Sequence, residues 1–245
     1  MNVLSLFSGI GGLELGLERA GMTVVGQVEI DPFCRAVLAK HWPEVPRHDD
    51  VRTCVEWWLG EPRPAVDVVA GGFPCQPFST AGLRGGTSDE RWGWPWMEAV
   101  VRVVRPSVVI VENVPALLGD SDAFGWLLSD LAALGFDAEW TVLSACALGA
   151  PHPRERLFLV AHAHRSDGQA RLGAQLGAAA VPAIDLRAGP WLHPVDGFLE
   201  AERRSLRVVD GVPDEMESSR VRALGNAVVP QVAEHIGRLV MAGAP

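Results

Sequence analysis

The sequence predicts an α/β fold, a doubly wound and mostly parallel sheet with a small irregular insert near its C-terminal end. Three observations predict it. Short β-branched runs alternate with helix-length segments. The runs are apolar throughout and not only at every second position, as strands covered by helices on both faces require. From about 163 to 216 the pattern fails, and the chain turns rich in Gly, Ala and Pro (QARLGAQLGAAAVPAIDLRAGPW).

Taken in order, VLSLF (3–7) is the first strand, and LFSGIGGLELGLERAG turns from it into a helix. TVVGQVE (23–29), DVVAG (67–71) and SVVIVEN (107–113) are further strands, each flanked by amphipathic stretches. FDAEWTVL (136–143) and RLFLVA (156–161), joined through SACALGAPHPRE, read as a terminal hairpin on the sheet's edge. VVPQVAEHIGRLVMA (228–242) has apolar residues at helical spacing and packs back on the sheet. The expected division is a main domain over 1–162, an insert over 163–216, and a segment over 217–245 that returns to the first domain.

Composition narrows the class. With 245 residues, 48% hydrophobic, 21% charged, 26 Gly and 18 Pro, the chain is globular and not disordered. No apolar run reaches the ~18 residues that span a bilayer, and the N-terminal stretch is interrupted by Glu14 and Glu18, so no membrane partner is expected. The net charge of −9 argues against a uniformly basic surface. Residues 151–222, however, hold ten Arg against ten Asp or Glu, so the whole excess of acid lies elsewhere. A single lysine, Lys40, stands against 20 arginines, which puts positive charge on planar forks. Cys34, Cys54, Cys75 and Cys146 include no C-x-x-C pair and make neither a disulfide scaffold nor a zinc site. The expectation is a soluble, reduced, cytoplasmic monomer.

Four segments carry chemistry. In LFSGIGG, Gly9, Gly11 and Gly12 let the backbone turn tightly and a ligand approach a helix N-terminus. The third glycine of a dinucleotide fingerprint would fall at Glu14, an acid where a pyrophosphate would sit, so NAD is disfavoured. Glu29, 20 residues beyond Gly9 at a strand end, suits the ribose hydroxyls of a phosphate-free adenosine ligand. Taken alone, the loop fits a packing turn and a surface acid equally well.

GGFPCQPFS (71–79) follows a strand at the sheet's carboxyl edge, where open α/β folds place their sites. Cys75, between Pro74 and Pro77, sits on a stiff extended loop and reads as a nucleophilic thiolate, against the commoner fate of a buried small hydrophobe. SVVIVEN delivers Glu112 and Asn113 at its carboxyl end, and PHPRERLFLVA places Arg154 and Arg156 two apart at a strand start. Singly these are a helix-cap acid and a solvated charge cluster; with Cys75 they form a constellation.

At this point the sequence resembles the C5-cytosine-specific DNA methyltransferase family, through F-S-G-I-G-G, G-F-P-C-Q-P-F-S, V-E-N-V, P-H-P-R-E-R and L-G-N-A-V-V-P in that order. The resemblance covers most of the chain. It implies the class I S-adenosylmethionine-dependent methyltransferase fold, S-adenosyl-L-methionine as cofactor, and double-stranded DNA as partner. It further implies that Cys75 adds to carbon 6 of a flipped cytosine, turning the ring into an enamine that takes the methyl group at carbon 5. Glu112 would hydrogen-bond N3 and Arg156 would hold O2, with Arg154 and Asn113 beside them, while Gln76 and Ser79 would steer the nucleotide and its phosphate. Cofactor contacts carried over in the same way are Phe7, Gly9, Gly11 and Gly12 around the methionine moiety, Glu29 on the ribose, Ile30, Asp50 and Val51 around the adenine, and Asn226 returning from the C-terminal segment.

The chain departs from the family in its short reader: only about 50 residues separate Leu159 from Arg207. That implies a short or loosely specified site, with Arg165, Arg171, Arg187, Arg203, Arg204 and Arg207 as basic candidates. The segment RVVDGVPDEMESSRVRALGN resembles short phage and prophage members. His152, His162, His164 and His193 complete no metal shell, and none is expected. Trp92, Trp94 and Trp96 fit stacking on nucleic acid and a buried hinge equally. Two other readings stand beside the first. A tRNA cytosine methyltransferase would resemble P-P-C-Q-P-F-T and carry C-F-T, whereas this chain has Phe73, Ser79 and no C-F-T. A non-catalytic DNA-binding relative would not keep Cys75, Glu112 and Arg156 together.

Overall fold

The computed structural model describes residues 1–74, 92–164 and 214–243. Seven strands form one sheet: β1 (Asn2–Leu6), β2 (Thr23–Val28), β3 (Arg47–His48), β4 (Val68–Gly71), β5 (Val108–Asn113), β6 (Phe136–Ser144) and β7 (Glu155–Ala163). Their order is β3-β2-β1-β4-β5-β7-β6, all parallel except β7, which runs antiparallel to both β5 and β6. Strand order reverses between β1 and β4, so the crevice outside their carboxyl ends is where a ligand fits. The expected hairpin is present, with β6 outermost. The two-residue β3 escaped the sequence reading because it is too short to show a period.

The helices are α1 (Gly12–Arg19), α2 (Pro32–His41), α3 (Cys54–Leu59), α4 (Trp94–Val104), α5 (Ser121–Ala133), α6 (Asp214–Asn226) and α7 (Pro230–Gly243). Two cores form, one on each face of the sheet. Leu4, Leu6, Val69, Val109 and Val111 meet α4 and α5 through Met97, Val101, Leu127 and Leu131. Val3, Val68, Ala70, Val108 and Ile110 meet α1 and α7 through Leu13, Leu17, Val232, Ile236 and Val240. Strands buried on both faces account for their continuous apolar runs.

Close backbone approach sets how α7 docks. A Cβ on Gly12 would lie 2.1 Å from the Val228 carbonyl oxygen, and one on Gly16 would lie 2.4 Å from the Pro230 carbonyl oxygen. The C-terminal segment thus closes directly over the start of α1. No helix among the described residues is long and apolar enough to cross a membrane.

Candidate active site

The first half of the site is the turn between β1 and α1. Phe7, Gly9 and Gly11 adopt left-handed φ values of 55, 56 and 90°, a path that glycine takes freely and phenylalanine does not. The Trp42 ring fills the space beside Gly11, where a Cβ would come within 2.4 Å of it, while nothing stands within 4 Å of a Cβ built on Gly9. Gly9 is thus the open face of the turn and Gly11 the packed one. Trp42 is itself held, its Nε1 donating to Glu18 Oε2 at 2.9 Å.

Glu29 joins this turn to the end of β2. Its Oε2 accepts from the Gly9 amide at 2.6 Å and its Oε1 from the Asp31 amide at 2.8 Å. A carboxylate oxygen accepts more than one donor, so ribose hydroxyls can share both oxygens. Arg35 fixes the same loop, its Nη1 donating to the carbonyls of Glu29 at 2.9 Å and Ile30 at 2.7 Å. Ile30 is 68% exposed, an apolar side chain left uncovered beside the carboxylate. Asp50 caps the 3₁₀ turn Val51–Thr53 by accepting from the Arg52 amide, and the Arg52 guanidinium beside it lowers its pKa. The open glycine, the strand-end carboxylate and the exposed aliphatic side chain fit an adenosine-type ligand. Among the sequence-derived contacts, Gly9, Glu29 and Ile30 lie together, and Gly12 contacts the C-terminal segment. Asn226 ends α6 with its side chain exposed.

Glu14 is not where the sequence reading put it. It lies in the first turn of α1 but at 0% exposure, turned into the protein and away from a ligand phosphate. The helix begins at Gly12, and position 14 faces the sheet.

The second half gathers at the carboxyl ends of β4 and β5. Glu112 is 7% exposed, and Arg156 Nε stands 3.0 Å from its Oε1. Burial raises the Glu112 pKa, opposed by the positive charges of Arg156 and Arg154. A Cβ on Gly72 would meet Glu112 Oε2 at 2.6 Å, so a larger residue there would push the carboxylate aside. Asn113 Nδ2 donates to the Phe73 carbonyl at 3.2 Å and its Oδ1 accepts from the Val114 amide, tying β5 to the start of the Cys75 loop. Arg154 reaches the other way, with Nη2 on the Gly225 carbonyl at 2.7 Å, and holds the end of α6 against β7. Cys75, Gln76 and Ser79 lie outside the described residues, as do the arginines proposed for the reader.

Trp92 and Trp94 settle as core: 4% and 1% exposed, each ring beside Phe73, with Trp94 Nε1 donating to Asp130 Oδ2 at 2.8 Å. Trp96 is 41% exposed. Among the described residues no group of three His, Cys, Asp or Glu could hold a metal ion. Gly72, Trp42 and Arg35 were missed by sequence reasoning. For Gly72 the double glycine before Phe73 was the available signal; Trp42 and Arg35 carried none.

Residues 1–183 match the family model described as C-5 cytosine-specific DNA methylase. The Type II methyltransferase M2.BsuMI of Bacillus subtilis is 38% identical over 168 residues, 66% of this chain and 42% of that protein. M.NgoMIV of Neisseria gonorrhoeae is 33% identical over 160 residues, 64% of this chain and 50% of that protein. The chain therefore spans half or less of the length of these curated relatives. A solved structure described as a DNA modification methyltransferase encoded within an E. coli prophage superposes with a TM-score of 0.58 at 28% identity, over 66% of this chain and 47% of that one. With a family match over most of its length, the chain belongs to the C-5 cytosine-specific DNA methylases.

Proposed function

We propose that this chain transfers a methyl group from S-adenosyl-L-methionine to carbon 5 of a flipped cytosine in double-stranded DNA, through a transient bond between Cys75 and carbon 6. The observation that carries the reading is the buried Glu112 beside Arg156 at 3.0 Å, at the carboxyl edge where the Cys75 loop leaves β4. Burial raises the Glu112 pKa and so favours the protonated carboxyl that can donate, against the pull of Arg156 and Arg154, and a guanidinium keeps its donors at any pH.

The cofactor supplies an electrophilic methyl group when bound. The chain's own residues do the rest. Cys75 gives its thiolate to carbon 6, and electron density moves to N3 and O2. Glu112 hydrogen-bonds N3 with its proton, and Arg156 meets O2 with a fixed positive charge. After transfer, the proton on carbon 5 leaves and the thiolate departs, which restores the aromatic ring. Gly72 keeps the backbone off Glu112, and Asn113 holds Phe73 ahead of the thiol. Glu29 orients the ribose, Gly9 leaves room for the methionine moiety, and Ile30, Asp50 and Val51 border the adenine. Gln76 and Ser79 steer the flipped nucleotide, and Asn226 returns to the cofactor from the end of α6. Residues 163–216 serve as a short target reader between the catalytic part, 1–162, and the closing segment, 217–245. Its likeness to Type II methyltransferases supports a role in DNA modification.

The test is to incubate the protein with labelled S-adenosylmethionine and either duplex DNA carrying 5-fluorocytosine or tRNA. Fluorine at carbon 5 blocks elimination, so a turned-over base stays attached. A denaturation-resistant adduct with DNA alone is the expected result. An adduct with tRNA alone, or with neither at any salt concentration, contradicts it.

A further inference from the structure

Glu14 is a buried ionisable group that the chemistry above leaves unused. It is 0% exposed, and its carboxyl lies against the hydroxyls of Ser8 and Ser5, with neither oxygen in a well-aligned hydrogen bond among the described residues. The polar side chains around it are also buried. Ser5 is 0% exposed and Ser8 7%, and the Ser8 hydroxyl donates to Ser5 Oγ at 3.2 Å. Gln27 is in register with Ser5 on the adjoining parallel strand, so its side chain turns to the same face of the sheet. Its Oε1 accepts from Arg47 Nη1 at 3.3 Å, while its Nε2 has no partner among the described residues.

The charges near Glu14 do not favour its ionised form. β1 offers only the two serine hydroxyls, and the end of β2 brings Glu29, whose charge repels it. α7, packed against α1, brings Glu234, ion-paired to Arg238 at 2.6 Å, and His235. Burial raises the Glu14 pKa and outweighs the hydroxyls of Ser8 and Ser5. Without a cation at this depth, burial favours the protonated carboxyl.

Its place matters because Ser8 joins the turn to β2. The Ser8 amide donates to the Val28 carbonyl at 3.0 Å, its carbonyl accepts from the Gly11 amide at 3.0 Å, and the next amide, Gly9, donates to Glu29. Phe7 and Gly9 on either side hold left-handed φ values. Such a path persists only where its surroundings fix it.

We propose that Glu14 is a positioning residue for the cofactor turn: an uncharged carboxylic acid that, with Ser5, holds Ser8 and hence the Gly9 amide where the cofactor meets them. The inference rests on the reading that this turn binds S-adenosylmethionine. Loss of the proton sets a second negative charge near Glu29 and frees Ser8, so cofactor affinity falls as pH rises.

The experiment is calorimetric titration of the full chain with S-adenosylmethionine from pH 6.5 to 9.5, for wild type, Glu14→Gln and Glu14→Ala. The ligand's own amine titrates alike in all three, so the difference between the wild-type and Gln curves reads Glu14. At neutral pH the Gln variant, neutral and isosteric, keeps wild-type affinity within about threefold, whereas the Ala variant loses about tenfold or more, which is about 1.4 kcal/mol. Toward pH 9.5 wild type weakens relative to the Gln variant. Parallel wild-type and Gln curves, or an Ala variant that binds like wild type, overturn the inference. If Ala does not fold, the comparison of wild type with Gln decides. A folded wild type that binds no S-adenosylmethionine overturns the cofactor reading and this inference together; binding with parallel curves overturns this one alone.

Discussion

Arg156 and Glu112 face each other at 3.0 Å across neighbouring strands, β7 starting where β5 ends. The antiparallel register brings this about, because it places the start of β7 at the carboxyl edge of a parallel sheet. One acid and one guanidinium are thereby set side by side at the edge where the chain leaves β4 toward Cys75.

Glu112 gives a pH dependence with a definite sign. Burial holds its pKa above the ordinary carboxyl range, with Arg156 pulling the other way. In the proposed mechanism the protonated form donates to N3, and it is lost as pH rises through the raised pKa. Turnover with saturating DNA therefore falls on the alkaline side. Glu112→Gln lowers kcat by roughly 10² to 10⁴, the usual worth of a positioned acid, and removes that limb of the profile while cofactor affinity by calorimetry stays within error.

Gly72 separates position from chemistry. A Cβ there meets Glu112 Oε2 at 2.6 Å, and the carboxylate must move. Gly72→Ala is expected to lower kcat by about tenfold or more, since a displacement near 1 Å at a reacting group costs up to ~10². Cofactor affinity should be unchanged, because Gly72 lies on β4's side of the site. Parallel kinetics and calorimetry check both halves.

At the turn, Gly12 and Gly9 call for opposite reasons. Gly12→Ala pushes a methyl to within 2.1 Å of the Val228 carbonyl, backbone against backbone, and is expected to cost about 1–3 kcal/mol in denaturant unfolding as an overpacked site. Gly9→Ala has space but a φ of 56°, so its cost is the left-handed penalty alone, about 1–2 kcal/mol. Gly12→Ala also loosens the C-terminal segment, which limited proteolysis of residues 214–243 reads directly.

Much of the sheet was legible because strands buried on both faces leave unbroken apolar runs, and the β6–β7 hairpin because two strand-like runs follow each other at the end of the sheet. Side-chain destinations were less so. Trp92 and Trp94 proved to be core because Phe73 packs between them, a tertiary contact with no period in sequence. Glu14 looked like a ligand-side acid because spacing alone does not say which side of α1 faces the sheet. Arg154 and Arg156 are equivalent in sequence, yet Arg154 reaches the Gly225 carbonyl and Arg156 reaches Glu112, since the partner for Arg154 lies 71 residues away.

The closing segment gives a prediction on the whole fold. α7 buries Val232, Ala233, Ile236 and Val240 against α1 and the sheet. Truncation at about residue 215 removes that layer and the lid on Gly12, and is expected to abolish S-adenosylmethionine binding in calorimetry.

The most direct measurement is peptide mapping of protein trapped on duplex DNA that carries 5-fluorocytosine, in the presence of S-adenosylmethionine. The account predicts a single modified peptide bearing the fluorinated, methylated base on Cys75, and no trapped species from Cys75→Ser, whose cofactor affinity stays near wild type. A base attached at Cys34, Cys54 or Cys146, or trapping by the serine variant, would contradict it.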